Sequence, residues 1–225
     1  MEIDHCTFPD DLLYHLESNT WVRLAKDEAV VGVTSVLSAI AGKLTSARLK
    51  ATGAIVHRGN SLGTLESIRL LGPIPSPISG RIKETNALVI SKPKILNDSP
   101  YGEGWVARLE TKNIDAERAL LMNIHDAEET LRQKLKQYRA KCFKAFPDHE
   151  LVEIGVECAV VLVRLDDLVL SIPTGDVVHI VSDDPTAYVE MVRWADRSGQ
   201  SLVDWRNEGG LFHFIVKKTG AWDSE

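Results

Sequence analysis

The residues that could do chemistry in this 225-residue chain are few and far apart. Arg69 lies in the stretch Glu66-Ser-Ile-Arg-Leu-Leu-Gly-Pro-Ile-Pro-Ser-Pro-Ile-Ser-Gly80, between two apolar strand-like runs. Pro73, Pro75 and Pro77 cannot donate to a ladder and fix φ. A strand that reaches Glu66-Ser67 must therefore turn. The expected shape is a hairpin tip carrying Ile68, Arg69 and Leu70, with a second strand returning from Ile78. Such a tip presents a long cation to a partner. The three cysteines, Cys6, Cys142 and Cys158, are an odd and sparse set that fits free thiols in a reducing cytoplasm. Cys142 falls on an apolar helical stripe and reads as a small core hydrophobe. Cys6, near the start of the chain, reads as an incidentally exposed thiol, with a resolving thiol as the other reading. No His or Cys stands at ligand spacing from Cys158, so no metal site is expected. Asp166-Asp167 and Asp183-Asp184 are paired carboxylates, but adjacent side chains point in different directions, and Asp183 or Asp184 reads as a helix cap. The seven histidines are scattered. There is no phosphate-cradling glycine loop, no Gly-x-Ser-x-Gly elbow and no His-Glu-x-x-His.

The elements that must position these residues fall into two groups. In the first half, Thr20-Trp-Val-Arg-Leu alternates as a half-buried strand, and Glu28–Thr34 reads as its partner across a Lys26-Asp27 turn. Phe8-Pro-Asp-Asp-Leu-Leu suggests a short helical turn, and 35–41 a short helix with Ser35 as candidate cap and Gly42 as its stop. Short strand-like pieces follow at 44–49, 54–57, 61–67, 78–83 and 87–90, punctuated by glycines, as in an all-β sandwich or barrel-like domain. Asn97–Trp105 is a loop, and Trp105 starts a strand as a core anchor. From Asp115 apolar residues recur at helical steps from Leu120 through Cys142 to Phe146, with a charged outer face, until Pro147-Asp148 ends the helix and marks a domain boundary. Beyond it, 151–156 is strand-like. Val160–Leu170 reads as either strand or helix. A strand at 176–181, a helix at 187–197 stopped by Gly199, and a hairpin around Glu208-Gly-Gly complete the chain. The order β-α-β-α-β-β is a small two-layer α+β sandwich.

Bulk composition agrees. Apolar content of 44% and a mean hydropathy of −0.08 are those of a soluble protein. A net charge of −6 argues against general nucleic-acid binding. No run approaches the roughly 18 apolar residues of a membrane helix, and no secretory signal is visible. The expected location is the cytoplasm, with no membrane partner.

Two resemblances sharpen this outline. Asn19-Thr-Trp-Val-Arg, Val31-Gly-Val-Thr, Leu65-Glu-Ser-Ile-Arg, Ser76-Pro-Ile-Ser-Gly, Asn86-Ala-Leu and Asp98-Ser-Pro-Tyr-Gly-Glu-Gly-Trp resemble the glycine cleavage system H protein, over about residues 8–125. That family is a small lipoyl carrier with a hammerhead β fold (a barrel-sandwich hybrid). The resemblance places Arg69 where the family has the lysine that takes lipoate through an amide bond. A guanidinium stays protonated at a pKa above 12 and offers no amine for acylation. Lys50 and Lys83 lie well away along the chain. Lipoate is therefore not expected, and no other cofactor is implied. Arg69 is then either a tolerated replacement or a fixed positive charge for an acidic partner.

More weakly, Leu151-Val-Glu-Ile-Gly-Val-Glu-Cys158, an apolar run, Gly175-Asp-Val-Val-His-Ile-Val-Ser-Asp-Asp-Pro and a terminal hairpin resemble the TusA/SirA-like sulfur carriers. Members hold a persulfide on a cysteine at the start of the first helix. The resemblance puts Cys158 there and makes Val160–Leu170 a helix. A thiol at a helix N-terminus is expected to feel the dipole and to ionise more readily. The family follows its cysteine with Pro-x-Pro, whereas Ala159, Val160 and Val161 stand here.

The expectation is thus an H-protein-like domain with its connecting helix at 1–147 and a TusA-like domain at 148–225. The chain reads as a carrier rather than an enzyme, with protein partners that donate or accept sulfur or that resemble glycine-cleavage components. Three functions follow: a sulfur carrier or relay protein using Cys158, a non-catalytic interaction module with both carrier sites degenerate, and a lipoyl carrier, which Arg69 disfavours.

Overall fold

The alternating run at Thr20 becomes a strand, and Lys26 (φ 38°) makes the tight turn to its partner. The computed structural model describes residues 1–111 and 114–220. The chain divides into two compact units, Met1–Cys142 and Phe143–Glu225.

The first unit is mostly β. It contains β1 (Glu2–Ile3), β2 (Cys6–Thr7), β3 (Leu13–His15), β4 (Thr20–Ala25), β5 (Glu28–Val33), α1 (Ser35–Ala41), β6 (Leu44–Leu49), β7 (Ile55–Val56), β8 (Ser61–Ser67), β9 (Leu71–Pro75), β10 (Gly80–Thr85), α2 (Ala87–Ser91), α3 (Ile95–Asp98), β11 (Trp105–Glu110), α4 (Ile114–Arg118) and α5 (Ile124–Tyr138). A six-stranded antiparallel sheet has the order β3-β4-β5-β11-β10-β7, and a three-stranded one the order β6-β8-β9. Both sheets feed one core, with Val31, Val33, Ile82 and Leu109 from the first and Leu44, Leu62, Leu65 and Ile74 from the second. A second cluster joins Ile3, Phe8, Tyr14 and Trp21 to the inner face of α5, at Ile124, Ala127, Leu131 and Leu135.

Trp21 is fully buried and donates its indole N–H to the Pro100 carbonyl at 3.0 Å. Its cross-strand partner is Gly32, where a Cβ would stand 2.4 Å from Trp21 Cζ2. Gly32→Ala must displace a locked indole, and overpacking of this kind costs about 3 kcal/mol. The expected result is a lower urea midpoint with an unchanged m-value. An unchanged midpoint contradicts it.

Several expectations need correction here. The strand after the tip does not wait for Ile78. It is β9, starting at Leu71 and containing Pro73 and Pro75. β9 is the edge of its sheet, so the missing proline N–H groups leave no inner ladder broken. Residues 87–90 are helical rather than extended, because Asn86 caps them by accepting the Leu88 N–H at 3.0 Å. Thr34, not Ser35, is the N-cap of α1, and Ser35 bonds the Tyr101 hydroxyl instead. Phe8–Leu12 forms a turn without a helix.

The largest correction concerns sulfur. Cys6 and Cys142 form a disulfide, with Cα atoms 5.0 Å apart. They are neither free thiols nor an incidental surface group and a stray core hydrophobe. The helix expected to run to Phe146 stops at Tyr138, where Arg139 takes a left-handed conformation (φ 50°, ψ 35°) and its N–H closes on Leu135 and Lys136. The chain beyond is free of the helical path and reaches β2. The sparse cysteine count therefore no longer argues for a reducing compartment.

The second unit is α+β: β12 (His149–Glu153), α6 (Cys158–Ser171), β13 (Val177–Ser182), α7 (Ala187–Ser198), β14 (Ser201–Glu208) and β15 (Leu211–Lys217). The sheet order is β12-β13-β15-β14, with β12 and β13 parallel across the α6 crossover. Val160–Leu170 is thus helical. Its Val161, Leu165 and Val169 pack with Met191 and Trp194 of α7 against Val178, Ile180, Phe214 and Val216. Lys218 closes the far end of α6 by donating to the Ile172 carbonyl at 2.8 Å. Gly209 and Gly210 (φ 61° and 86°) make the hairpin tip. No helix among the described residues is long and apolar enough to cross a membrane.

Candidate functional site

The β8–β9 tip is the first site. Ser67 organises it. Its hydroxyl accepts the N–H groups of Arg69 (3.1 Å) and Leu70 (2.9 Å) and donates to the Ala41 carbonyl at the end of α1 (2.7 Å). The backbone turn closes through Ser67 N–H to Leu70 O at 2.7 Å. The three tip residues are Ile68, Arg69 and Leu70, as expected, and Ile68 is 99% exposed. Arg69 is exposed but does not project freely. Its Cδ, Nε and Cζ lie 3.5, 3.7 and 3.9 Å from where a Gly42 Cβ would be, so the side chain folds back over the C-cap of α1. A cation is favoured at that end of a helix.

Cys158 is the second site. It is the first residue of α6, as expected, and its thiol is nearly buried, at 4% exposure. The preceding residue, Glu157, makes no side-chain cap. The cap comes from the β13–α7 turn instead. Asp184 Oδ2 accepts the Cys158 N–H at 2.8 Å, while its Oδ1 accepts the N–H (2.7 Å) and hydroxyl (2.6 Å) of Thr186 before α7. Asp183 accepts the Gly155 N–H at 2.8 Å. Of the paired carboxylates, Asp184 caps the start of α6 and also holds Thr186 ahead of α7, whereas Asp183 binds the loop residue Gly155.

This arrangement reverses the expected ionisation of the thiol. Burial, followed by the charges of Asp184 and Glu190, pushes Cys158 up to about 11. The dipole effect is outweighed first by burial and then by the carboxylate that sits at the helix end. Asp184 itself is held below the usual carboxylate range by its bonds to Thr186 and then by the Cys158 N–H. At the two positions where the resembled sulfur carriers have prolines, Ala159 is exposed and Val161 enters the core.

Sequence reasoning missed one cluster entirely. His179 and His213 face each other on β13 and β15, with Nε2 and Nδ1 2.9 Å apart, and the Phe143 ring lies 4.7 Å from His179. Only strand register brings them together. No group of three or more metal-ligating side chains occurs among the described residues.

Both units have known relatives. The family model for glycine cleavage H-protein matches residues 13–134, and that for sulfurtransferase TusA matches residues 150–218. Glycine cleavage system H protein 2 of Aquifex aeolicus is 39% identical over 134 residues, 59% of this chain and 81% of its own. Probable glycine cleavage system H protein 2 of Sulfolobus acidocaldarius is 38% identical over 120 residues, 52% of this chain and 80% of its own. A crystal structure of a glycine cleavage system H protein from Mycobacterium marinum aligns with a TM-score of 0.48 and 26% identity, over 55% of this chain and 98% of that one.

The two family matches, one within each compact unit, define a two-domain protein. The chain belongs to the glycine cleavage H-protein family and carries a TusA domain fused behind it.

Proposed function

We propose that this protein is a sulfur-relay carrier that holds a persulfide on Cys158 and is not lipoylated. The observation that supports it most is the position of Cys158, the first residue of the first helix in the unit that matches TusA. The step balances without an outside oxidant. The Cys158 thiolate attacks the terminal sulfur of a partner protein's cysteine persulfide. A new S–S bond forms at Cys158 as the partner's S–S bond breaks, and the partner leaves as a thiolate that takes up the proton. Passing the sulfur on repeats the exchange with an acceptor thiol.

Lipoate does not fit the first unit, because Arg69 supplies no acylable amine. That unit, read as a hammerhead carrier fold, serves here for docking, with the exposed Ile68 at the tip offered to a protein partner and Arg69 held back over the end of α1. The partners are a persulfide donor and a thiol acceptor.

The test is intact mass after incubation with a protein persulfide donor. The wild-type chain gains one sulfur atom, lost again on reduction, and Cys158→Ser gains none. Burial and the suppressed ionisation of Cys158, whose pKa is pushed up to about 11, favour a second reading, a docking module whose thiol is inert. A Cys158 that accepts sulfur from no donor establishes that reading.

A further inference from the structure

A thiol that must become a nucleophile is buried here beside a carboxylate. We propose that Asp184 is a positioning residue that gates Cys158: its carboxylate takes the anion place at the start of α6, and the thiol becomes nucleophilic when that charge is neutralised or drawn onto α7. This regulation rests on the sulfur-carrier reading of Cys158.

The geometry carries it. One carboxylate lies between the first turns of two helices, Oδ2 on the Cys158 N–H and Oδ1 on Thr186. A helix N-terminus stabilises one nearby anion well. While Asp184 fills that role, a thiolate or persulfide anion at Cys158 has a like charge beside it and no free donor from that N–H. Among the other charged groups nearby, Glu190 of α7 adds to the block, while Glu157 precedes the thiol in the chain and Asp183 is engaged with the Gly155 N–H in the same turn. Arg164 of α6 is engaged with Glu153 of β12. The carboxylate also has somewhere to go, because Thr186 already binds its other oxygen with both N–H and hydroxyl. A cationic side chain from the sulfur partner, approaching Asp183 and Asp184, is the chemistry that would release the thiol.

The test is the pH profile of Cys158 alkylation by iodoacetamide on the full chain, where the other two cysteines are tied in their disulfide. Asp184→Asn and Asp184→Ser each keep a capping oxygen and remove the charge. Both are expected to move the midpoint down by about one pH unit, which is about tenfold faster alkylation at pH 8. Glu190→Gln leaves both caps in place and is expected to give a smaller downward move of the midpoint. A profile unchanged in either folded Asp184 variant overturns the gate. If both variants unfold, a Glu190→Gln profile identical to wild type overturns it. Sulfur loading is read separately by mass. A shifted profile without sulfur uptake keeps the gate and removes the carrier reading, and sulfur uptake with an unchanged profile does the reverse.

Discussion

Arg69→Lys, co-expressed with a lipoate ligase, is expected to acquire one lipoyl group, whereas the wild-type chain acquires none. The reason is confined to one atom type. A guanidinium is protonated throughout the working pH range and has no free amine lone pair, while lysine offers an ε-amine that can be acylated. The rest of the tip is in place. Ser67 fixes the turn through three hydrogen bonds of its hydroxyl, and Ile68 stands clear of the protein at 99% exposure. Arg69 now folds back over Gly42 at the end of α1. A lysine there loses the planar guanidinium that lies along that backbone and extends into solvent more readily. Intact mass reads the outcome directly. A lipoyl increment on the wild-type chain refutes the assignment of Arg69 as a non-acceptor. An unmodified Arg69→Lys chain shows that the tip has lost recognition by the ligase as well as the acceptor.

What could be read from the sequence, and what could not, divides along physical lines. β6 and β8 were legible to the residue, and α7 and the last hairpin to within one, because alternation, helical spacing and Gly199, Gly209 and Gly210 act locally. The tip residues were legible from the strand run that meets the prolines after it, and the place of Cys158 at a helix start through resemblance. α2 was misread because the apolar run Ala87–Ile90 has β character, while the Asn86 cap that makes it helical is a single side-chain contact. β9 was hidden because proline was taken to forbid a strand, and edge position is a property of the whole sheet. The disulfide joins residues 136 apart, and no local pattern encodes which cysteines meet. The ionisation of Cys158 was read with the wrong sign for a similar reason. The dipole of α6 is visible in the sequence, but the burial that chiefly opposes it is a property of the packed unit, and the carboxylate that adds to it comes from 26 residues away.

That disulfide sets the other large expected effect. Reducing it, or replacing both cysteines by serine, is expected to lower the stability of the first unit by about 4 kcal/mol. A link closing so long a loop removes about that much chain entropy from the unfolded state. The native contacts around it are weak substitutes. β1 and β2 have two residues each, and their hold on α5 rests on the buried Ile3, Cys6 and Phe8 set against Ile124, Ala127, Leu131 and Leu135. The ion pair of Asp4 with Arg132, at 2.8 Å, is half-exposed and adds little. The end of α5 is a single left-handed turn at Arg139, so once the link is cut nothing covalent returns residue 142 to β2. Urea unfolding of the wild-type chain with and without reductant measures the effect, with the Cys6→Ser/Cys142→Ser double variant as reference. Reductant should lower the wild-type midpoint to that of the double variant and leave the variant where it is. An oxidised and a reduced chain that unfold at the same midpoint contradict a stabilising role for the link.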